Sequence, residues 1–216
     1  YIKQGLISVN GTIVKNPLKE IVADKDTVRY IDKPVRINKN IQPLYVLFYK
    51  PKNCITTVND ENDRITVINY LQKIRGWKTL YPVGRLDYET EGLLILTNDG
   101  EYAQAIQHPS KEIIKTYRAK VEGVPTKEEL EKLTKNFKID GKSVRCLSAR
   151  PLKILKSNSW IEIKIISGQN RIIRKICDFI HHSVIKLVRI GIGGFSLDNI
   201  NIEAGQYIIM NKIQKD

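Results

Sequence analysis

The stretch from Gly84 to Gly100 reads GRLDYETEGLLILTNDG. Its later part, Leu93-Leu94-Ile95-Leu96, is an unbroken apolar run opened by Gly92, the pattern of a buried strand. Its earlier part is polar: Pro82 and Gly84 frame a bend, and Asp87 follows Arg85 on the loop that feeds the strand. Loops held by rigid elements are where catalytic groups tend to lie. Arg85, two residues from Asp87 in a turn, would favour the ionised carboxylate. Two plainer readings stand beside a catalytic Asp87. In one, Asp87 caps the turn while Glu89 and Glu91 face water. In the other, Asp87, Glu89 and Glu91 align along an extended segment to bind a metal, although no His or further Asp cluster joins them.

Working outward, strands are expected at 44–49, 53–58, 92–97, 113–122, 144–154, 159–166, 184–190 and 206–210. Helices are expected at 65–75, 100–107, 127–136 and 170–181, the third opened by a Thr126/Glu129 capping box. This order is neither regular βαβ alternation nor all-β. It predicts an α+β domain over residues 40–216, with a mixed, largely antiparallel sheet flanked by helices.

Residues 1–39 have a different texture. Gly5 has the character of a helix C-terminal cap. Ile7 and Val9 alternate with polar neighbours, Asn10-Gly11 is a two-residue hairpin turn, and Thr12–Val14 resume the strand. A turn at Asp24–Asp26 leads to a strand at 27–31, and the Pro-bounded basic stretch 32–43 reads as a linker. So short a unit buries too little surface to fold alone. It is expected to continue upstream, since it opens in mid-pattern without a Met, or to lean on its neighbour.

The chain has 216 residues, with 36 Lys+Arg against 23 Asp+Glu, a net charge of +13. That excess points to a polyanionic partner, and nucleic acid is favoured because the cations recur with aromatics and in one structured cluster. That cluster is the helix at 170–181. There Ile172, Ile173, Ile176, Cys177 and Ile180 form the apolar side, and Arg171, Arg174 and Lys175 share another face. Cations near a helix N-terminus oppose the macrodipole by roughly 0.3–1 kcal/mol each, a cost that an anionic ligand would offset. The reading as a merely solvated basic face stands beside this. No run of about 18 apolar residues is present to span a membrane. Cys54, Cys146 and Cys177 lie far apart, with neither a CxxC pair nor zinc spacing, which fits a reducing compartment.

GRLDYETEGLLILTNDG closely resembles the signature of pseudouridine synthases, in the ribosomal RNA branch that joins an S4-type RNA-binding domain to a catalytic domain. Other segments match in the right order. GLISVNGTIV is similar to the second half of an S4 domain, and YVLFYKPKNCITT to the family's entry strand. HPSKEIIKTYRAKVEG is similar to its tyrosine segment, closest in style to large-subunit members. GQNRIIRKICDFIHHSVIKLVRIGIGGFSL is similar to its basic helix.

The resemblance implies isomerisation of a uridine, flipped into a cleft that binds RNA, without metal or cofactor. It makes Asp87 the catalytic carboxylate, Tyr117 the stacking residue and a candidate for proton transfer at C5, and Arg174 the cation that pairs with Asp87. Ile173 would pack by the uracil, and Arg85, Lys115, Arg171 and Lys175 would contact RNA. Ile172 departs from the family, which commonly carries Gln there, so one polar contact near the pocket is expected to be missing. His108, His181 and His182 are given no catalytic part, and Trp77 and Trp160 are read as packing residues. The partner implied is ribosomal RNA, large-subunit first and small-subunit second. The compartment implied is the cytoplasm or an organelle of bacterial descent, and a monomer is the default. The rivals are a non-catalytic RNA-binding module and a metal-dependent nuclease built on Asp87, Glu89 and Glu91.

Overall fold

The computed structural model describes residues 1–16, 19–22, 25–35 and 42–210. The chain divides into two compact units, Tyr1–Gln42 and Pro43–Asp216.

The first unit is a small antiparallel sheet. Strands β1 (Ile7–Val9), β2 (Thr12–Val14), β3 (Val28–Tyr30) and β4 (Lys33–Pro34) lie in the order β2-β1-β3-β4. Asn10 and Gly11 both have positive φ (51° and 81°), as a two-residue turn matched to strand twist requires. Gly5 caps a helical turn: its N–H reaches the Ile2 carbonyl (2.9 Å), and the Leu6 N–H reaches that of Tyr1 (3.1 Å). The 32–43 stretch is not linker throughout, because Lys33–Pro34 pair with Arg29 and Tyr30. Asp24 of the expected turn and residues 36–41 of that stretch lie outside the described residues.

The second unit is built on one large sheet. Its strands are β5 (Tyr45–Lys50), β6 (Tyr81–Val83), β7 (Glu91–Thr97), β8 (Lys115–Glu122), β11 (Ser148–Ile154), β12 (Asn158–Ile165), β13 (Val184–Ile192), β14 (Phe195–Ser196) and β15 (Tyr207–Met210). The main path runs β11-β12-β8-β13-β7-β5-β15, with β6 paired to β7 and β14 to β13. Among the described residues β7 and β13 are the one strand pair that runs parallel, so the sheet is mixed and largely antiparallel. A separate hairpin joins β9 (Phe137–Ile139) to β10 (Lys142–Val144). Among the described residues there are three short helices, α1 (Gly100–Gln107), α2 (Lys127–Lys132) and α3 (Ile172–Phe179). None is long and apolar enough to cross a membrane.

The central strands are apolar on both faces because both faces are covered. Along β5 and β7, Val46, Phe48, Leu94 and Leu96 enter the larger core with Ile172, Ile173 and Ile176 of α3. Tyr45, Leu47, Leu93 and Ile95 enter the other, with Tyr102 and Ala103 of α1.

Several expected elements differ. Residues 53–58 form no strand; Ile55 makes one isolated bridge to Thr66. The helix expected at 65–75 is a 3₁₀ turn, Val67–Leu71, followed by another at Trp77–Thr79. The β-branched pair Val67-Ile68 disfavours a longer α-helix, and Gly76 then takes a left-handed φ of 86°. Helix α2 stops at Lys132, short of 136, because the chain turns into β9. The expected strand at 144–154 is split into β10 and β11.

Candidate active site

Asp87 sits between β6 and β7, on a turn closed by the Thr90 N–H donating to the Asp87 carbonyl (3.0 Å). Two buried side chains hold this turn. The Thr56 hydroxyl donates to the Leu86 carbonyl (2.7 Å) and accepts from the Leu86 N–H (3.2 Å). On the other side Lys50, fully buried at the end of β5, donates from Nζ to the carbonyls of Thr90 (2.9 Å), Pro51 (3.0 Å) and Tyr88 (3.4 Å). Burial lowers the Lys50 pKa, and the nearby Cys54, Asp87, Glu91 and Glu89 counter that shift. The Asn53 N–H adds a bond to the Tyr88 carbonyl (3.0 Å). The side chain at 87 therefore projects from a backbone fixed on both sides.

The two neighbouring carboxylates turn elsewhere. Glu89 pairs with Lys52 (2.8 Å), and that bond raises the Lys52 pKa. Glu91 pairs with Lys186 (3.0 Å). Among the described residues no group of three metal-ligating side chains gathers. The metal-binding alignment of Asp87, Glu89 and Glu91 is not the arrangement the chain adopts.

Asp87 opens onto a cavity of about 460 Å³ whose lining includes Tyr117, Lys115, Arg85, Arg171, Ile173 and Arg189. Tyr117 is buried, on β8, in register with Arg189 of β13 on one side and Ile163 of β12 on the other. Ile173 is buried in the wall, with Ile172 beside it where the family pattern has a polar residue. Lys115 is held by a bond from Nζ to the Ile166 carbonyl (2.9 Å); burial, and then the charge on Arg189, lower its pKa.

The cations of the basic helix are distributed differently from expectation. Arg171 is not inside α3. It takes a left-handed N-cap conformation (φ 51°, ψ 29°), and the helix begins at Ile172. From there its Nη1 lies 4.0 Å from the Asp87 carboxylate. Arg174, expected to pair with Asp87, instead donates from Nη1 to the Val184 carbonyl (3.2 Å), and its Nε is buried without a partner. Because Arg171 is left-handed and precedes the first helical residue, it does not share the helix face of Arg174 and Lys175. Lys175, expected on phosphate, is ion-paired with Asp140 of the β9–β10 turn. Arg85 is exposed and lines the cavity, and among the described residues it forms no ion pair with Asp87.

Sequence reasoning missed two residues of the site, Lys50, buried behind the turn that carries Asp87, and Arg189, which lines the cavity. Lys50 is the one cation of YVLFYK, and Arg189 is the cation of VIKLVRIGI that falls within its buried run; that contrast is the signal that could have marked them. The histidines stay apart from the cavity: the His108 ring bonds Ser110, and the His182 ring bonds the Glu122 carbonyl and lies 3.3 Å from Glu129.

Asp87 on its braced turn thus shares a cavity with an aromatic ring, Tyr117, and an aliphatic side chain, Ile173. The family profile for RNA pseudouridylate synthase matches residues 44–179, and the chain belongs to that family of RNA-modifying isomerases. It is 38% identical over 190 residues to the ribosomal large subunit pseudouridine synthase B of Bacillus subtilis, covering 87% of this chain and 75% of that one. It is 34% identical to an uncharacterized RNA pseudouridine synthase of Rickettsia felis, covering 98% and 89%. The crystal structure of a pseudouridylate synthase shares the fold, with a TM-score of 0.71 at 23% identity, covering 97% of this chain and 87% of that one.

Proposed function

We propose that this enzyme converts a uridine of large-subunit ribosomal RNA to pseudouridine. The large-subunit assignment rests on the Bacillus subtilis relative and on the HPSKEI segment. The observation that carries the catalytic reading is Asp87, braced by Lys50 and Thr56 at a cavity it shares with Tyr117.

In this reading the target nucleotide leaves its stack and enters the cavity, at an unstacking cost of a few kcal/mol. The uracil stacks on Tyr117, a contact worth about 1–3 kcal/mol, and Ile173 packs against it. The Asp87 carboxylate starts the chemistry, and Arg171 at 4.0 Å keeps a positive charge beside it. With both groups part-exposed that pair contributes roughly 0–1 kcal/mol to stability, so its value lies in placement. Arg174 braces α3 against β13 and supplies a second positive charge to the same end of the helix. Arg85 at the cavity mouth meets the RNA backbone. The N-terminal unit, with its tight Asn10-Gly11 hairpin, is read as part of an S4-like domain that docks structured RNA.

The test is tritium release from ribosomal RNA labelled at uridine C5. Wild-type enzyme should release tritium with EDTA present, and Asp87→Ala should not while still binding RNA. Release unaffected by the substitution would refute the role of Asp87. Activity that EDTA abolishes would favour the metal-dependent rival, and binding without release from any ribosomal RNA would favour a non-catalytic module.

A further inference from the structure

Arg189 is 3% exposed, in the middle of β13. Its Nε donates to the Leu93 carbonyl (2.8 Å), and its Nη2 is buried without a hydrogen-bond partner. No ion pair joins it to a carboxylate among the described residues. Taking a cation out of water costs several kcal/mol unless an anion or a full set of acceptors compensates. Arg189 has one acceptor, and its backbone is pinned as well: it sits in parallel register with Gly92, and in antiparallel register with Tyr117. A Cβ at Gly92 would come within 2.2 Å of the Arg189 carbonyl oxygen, so glycine there is what lets β7 and β13 close on each other. A buried, rigid, under-satisfied guanidinium in a cavity wall is a poor choice for stability alone, and such violations concentrate at functional sites.

Of the acceptors that line the cavity, the Asp87 carboxylate lies beside Arg171 at 4.0 Å, and the acceptor that serves Arg189 is the Leu93 carbonyl. Arg85 and Arg171 are exposed and suit phosphate, whereas Arg189 is buried and lines the same cavity as Tyr117, the residue on which the base is read to stack. We propose that Arg189 is a catalytic donor: its guanidinium hydrogen-bonds a carbonyl oxygen of the flipped uracil and stabilises the negative charge that gathers there as the glycosidic bond breaks. This rests on the isomerase reading given above. When the C1′–N1 bond cleaves, its electron pair passes to N1 and spreads onto O2 and O4. The ring then turns, C5 bonds to C1′, the C5 proton leaves, and N1 gains a proton, so substrate and product are isomers and no co-reactant is needed. The carbonyl is neutral in the bound uridine and carries most charge between bond breaking and bond making. A fixed donor therefore acts more strongly on the transition state than on the ground state. Lys115, anchored on the Ile166 carbonyl in the same wall, adds positive potential without competing for the oxygen.

The experiment uses the full chain, ribosomal RNA and single-turnover kinetics with Arg189→Lys, Arg189→Gln and Arg189→Ala, alongside RNA affinity and thermal melting. Removing one such donor should slow the chemical step about 10²–10³-fold while the RNA dissociation constant stays near wild type. Arg189→Lys should retain more rate than Arg189→Gln. Added guanidinium ion, below denaturing concentration, should recover rate for Arg189→Ala and not for Asp87→Asn. A folded Arg189→Gln enzyme reacting at the wild-type rate would overturn the proposal. So would loss of rate matched by equal loss of RNA affinity and melting temperature, without guanidinium rescue. If Arg189→Gln and Arg189→Ala do not fold, Arg189→Lys decides: a folded enzyme with undiminished single-turnover rate counts against a geometry-specific donor, and slowed chemistry at unchanged affinity supports it. Failure of the wild-type enzyme on every ribosomal RNA would instead remove the isomerase reading itself.

Discussion

Replacing Lys50 with Met would separate the brace behind Asp87 from Asp87 itself. Methionine is close in length and apolar, so the site stays filled while the ammonium and its bonds are lost. Two of those bonds are short, to Thr90 (2.9 Å) and Pro51 (3.0 Å), and the Tyr88 contact is weaker at 3.4 Å. Charged hydrogen bonds contribute roughly 1.5–3 kcal/mol each, so the two good ones give about 3–6 kcal/mol. Against them stands a desolvation penalty of several kcal/mol for the fully buried ammonium. These nearly cancel, and the residue of the change is orphaned carbonyls at about 1–3 kcal/mol each, partly relieved by water. A net loss of about 2 kcal/mol follows, which in a protein of this size lowers Tm by roughly 4–8 °C. The effect on rate should be larger, because the orphaned carbonyls are on the turn that carries Asp87. A displacement of about 1 Å costs on the order of 10²-fold in the chemical step. Single-turnover pseudouridine formation, RNA affinity and calorimetry on the same preparations would test this. A Lys50→Met enzyme with the wild-type single-turnover rate would refute the idea that this lysine positions the carboxylate. The pH dependence carries an independent sign. Burial lowers the folded pKa of Lys50 below its ordinary 10.5. Between the folded value and 10.5 the unfolded chain holds more protons, so the wild type gains stability with rising pH relative to Lys50→Met. A stability difference flat through that window would count against a buried ammonium.

Gly92→Ala should destabilise the sheet by at least about 2 kcal/mol in urea denaturation, because a Cβ would clash with the Arg189 backbone and φ is 115°; a substitution within error of wild type would show that β7 and β13 can part freely. Arg171→Met should slow turnover with little change in Tm, whereas Arg174→Met should lower Tm by orphaning the Val184 carbonyl. Slowed chemistry from Arg174→Met alone, at unchanged Tm, would return the Asp87 partnership to Arg174. Burial pushes the thiol pKa of Cys54 to about 11 and of Cys146 and Cys177 to about 12. All three should resist alkylation at pH 8 until the protein is denatured, and stability from these groups, full below pH 9, should fall as pH rises from 9 through 11 to 12; rapid native alkylation would refute their burial.

The sheet was legible wherever a strand announced itself by one local pattern. β5 and β7 are unbroken apolar runs, and β8 alternates Lys115, Tyr117, Ala119 and Val121 on one face. The motif loop was legible too, since Gly84, Asp87 and Gly92 each mark a backbone event. What escaped depended on conformation or on distant partners. The Thr66–Asn69 capping box opens a 3₁₀ turn rather than a helix, because the bond pattern that follows is set by tertiary packing of Val67, Ile68 and Leu71. The Asp140-Gly141 pair is a hairpin signal of the same kind as Asn10-Gly11, and both its residues have positive φ, yet it falls between the expected helix 127–136 and strand 144–154, where no hairpin was expected.

The cations around the cavity explain why a site can be named from sequence before its wiring can. Asp87, Tyr117 and Ile173 reach the cavity through local geometry, a turn and the pointing of side chains from one strand and one helix. The role of each cation depends instead on an acceptor supplied elsewhere. Lys50 finds two of its three acceptors 38 to 40 residues away in the Tyr88–Thr90 turn. Arg189 finds its one acceptor 96 residues away at Leu93. Arg171, in the left-handed region ahead of the helix, takes the place beside Asp87 expected of Arg174, and Arg174 bonds the Val184 carbonyl instead. A guanidinium has five donors and no acceptor, so every basic residue near such a cleft is equally qualified until the fold allots the carbonyls. The ones that matter for chemistry are those the fold leaves short. Arg174 at Nε and Arg189 at Nη2 are both left short, but of the two it is Arg189 that lines the cavity, where the substrate carbonyl is the acceptor proposed to complete it.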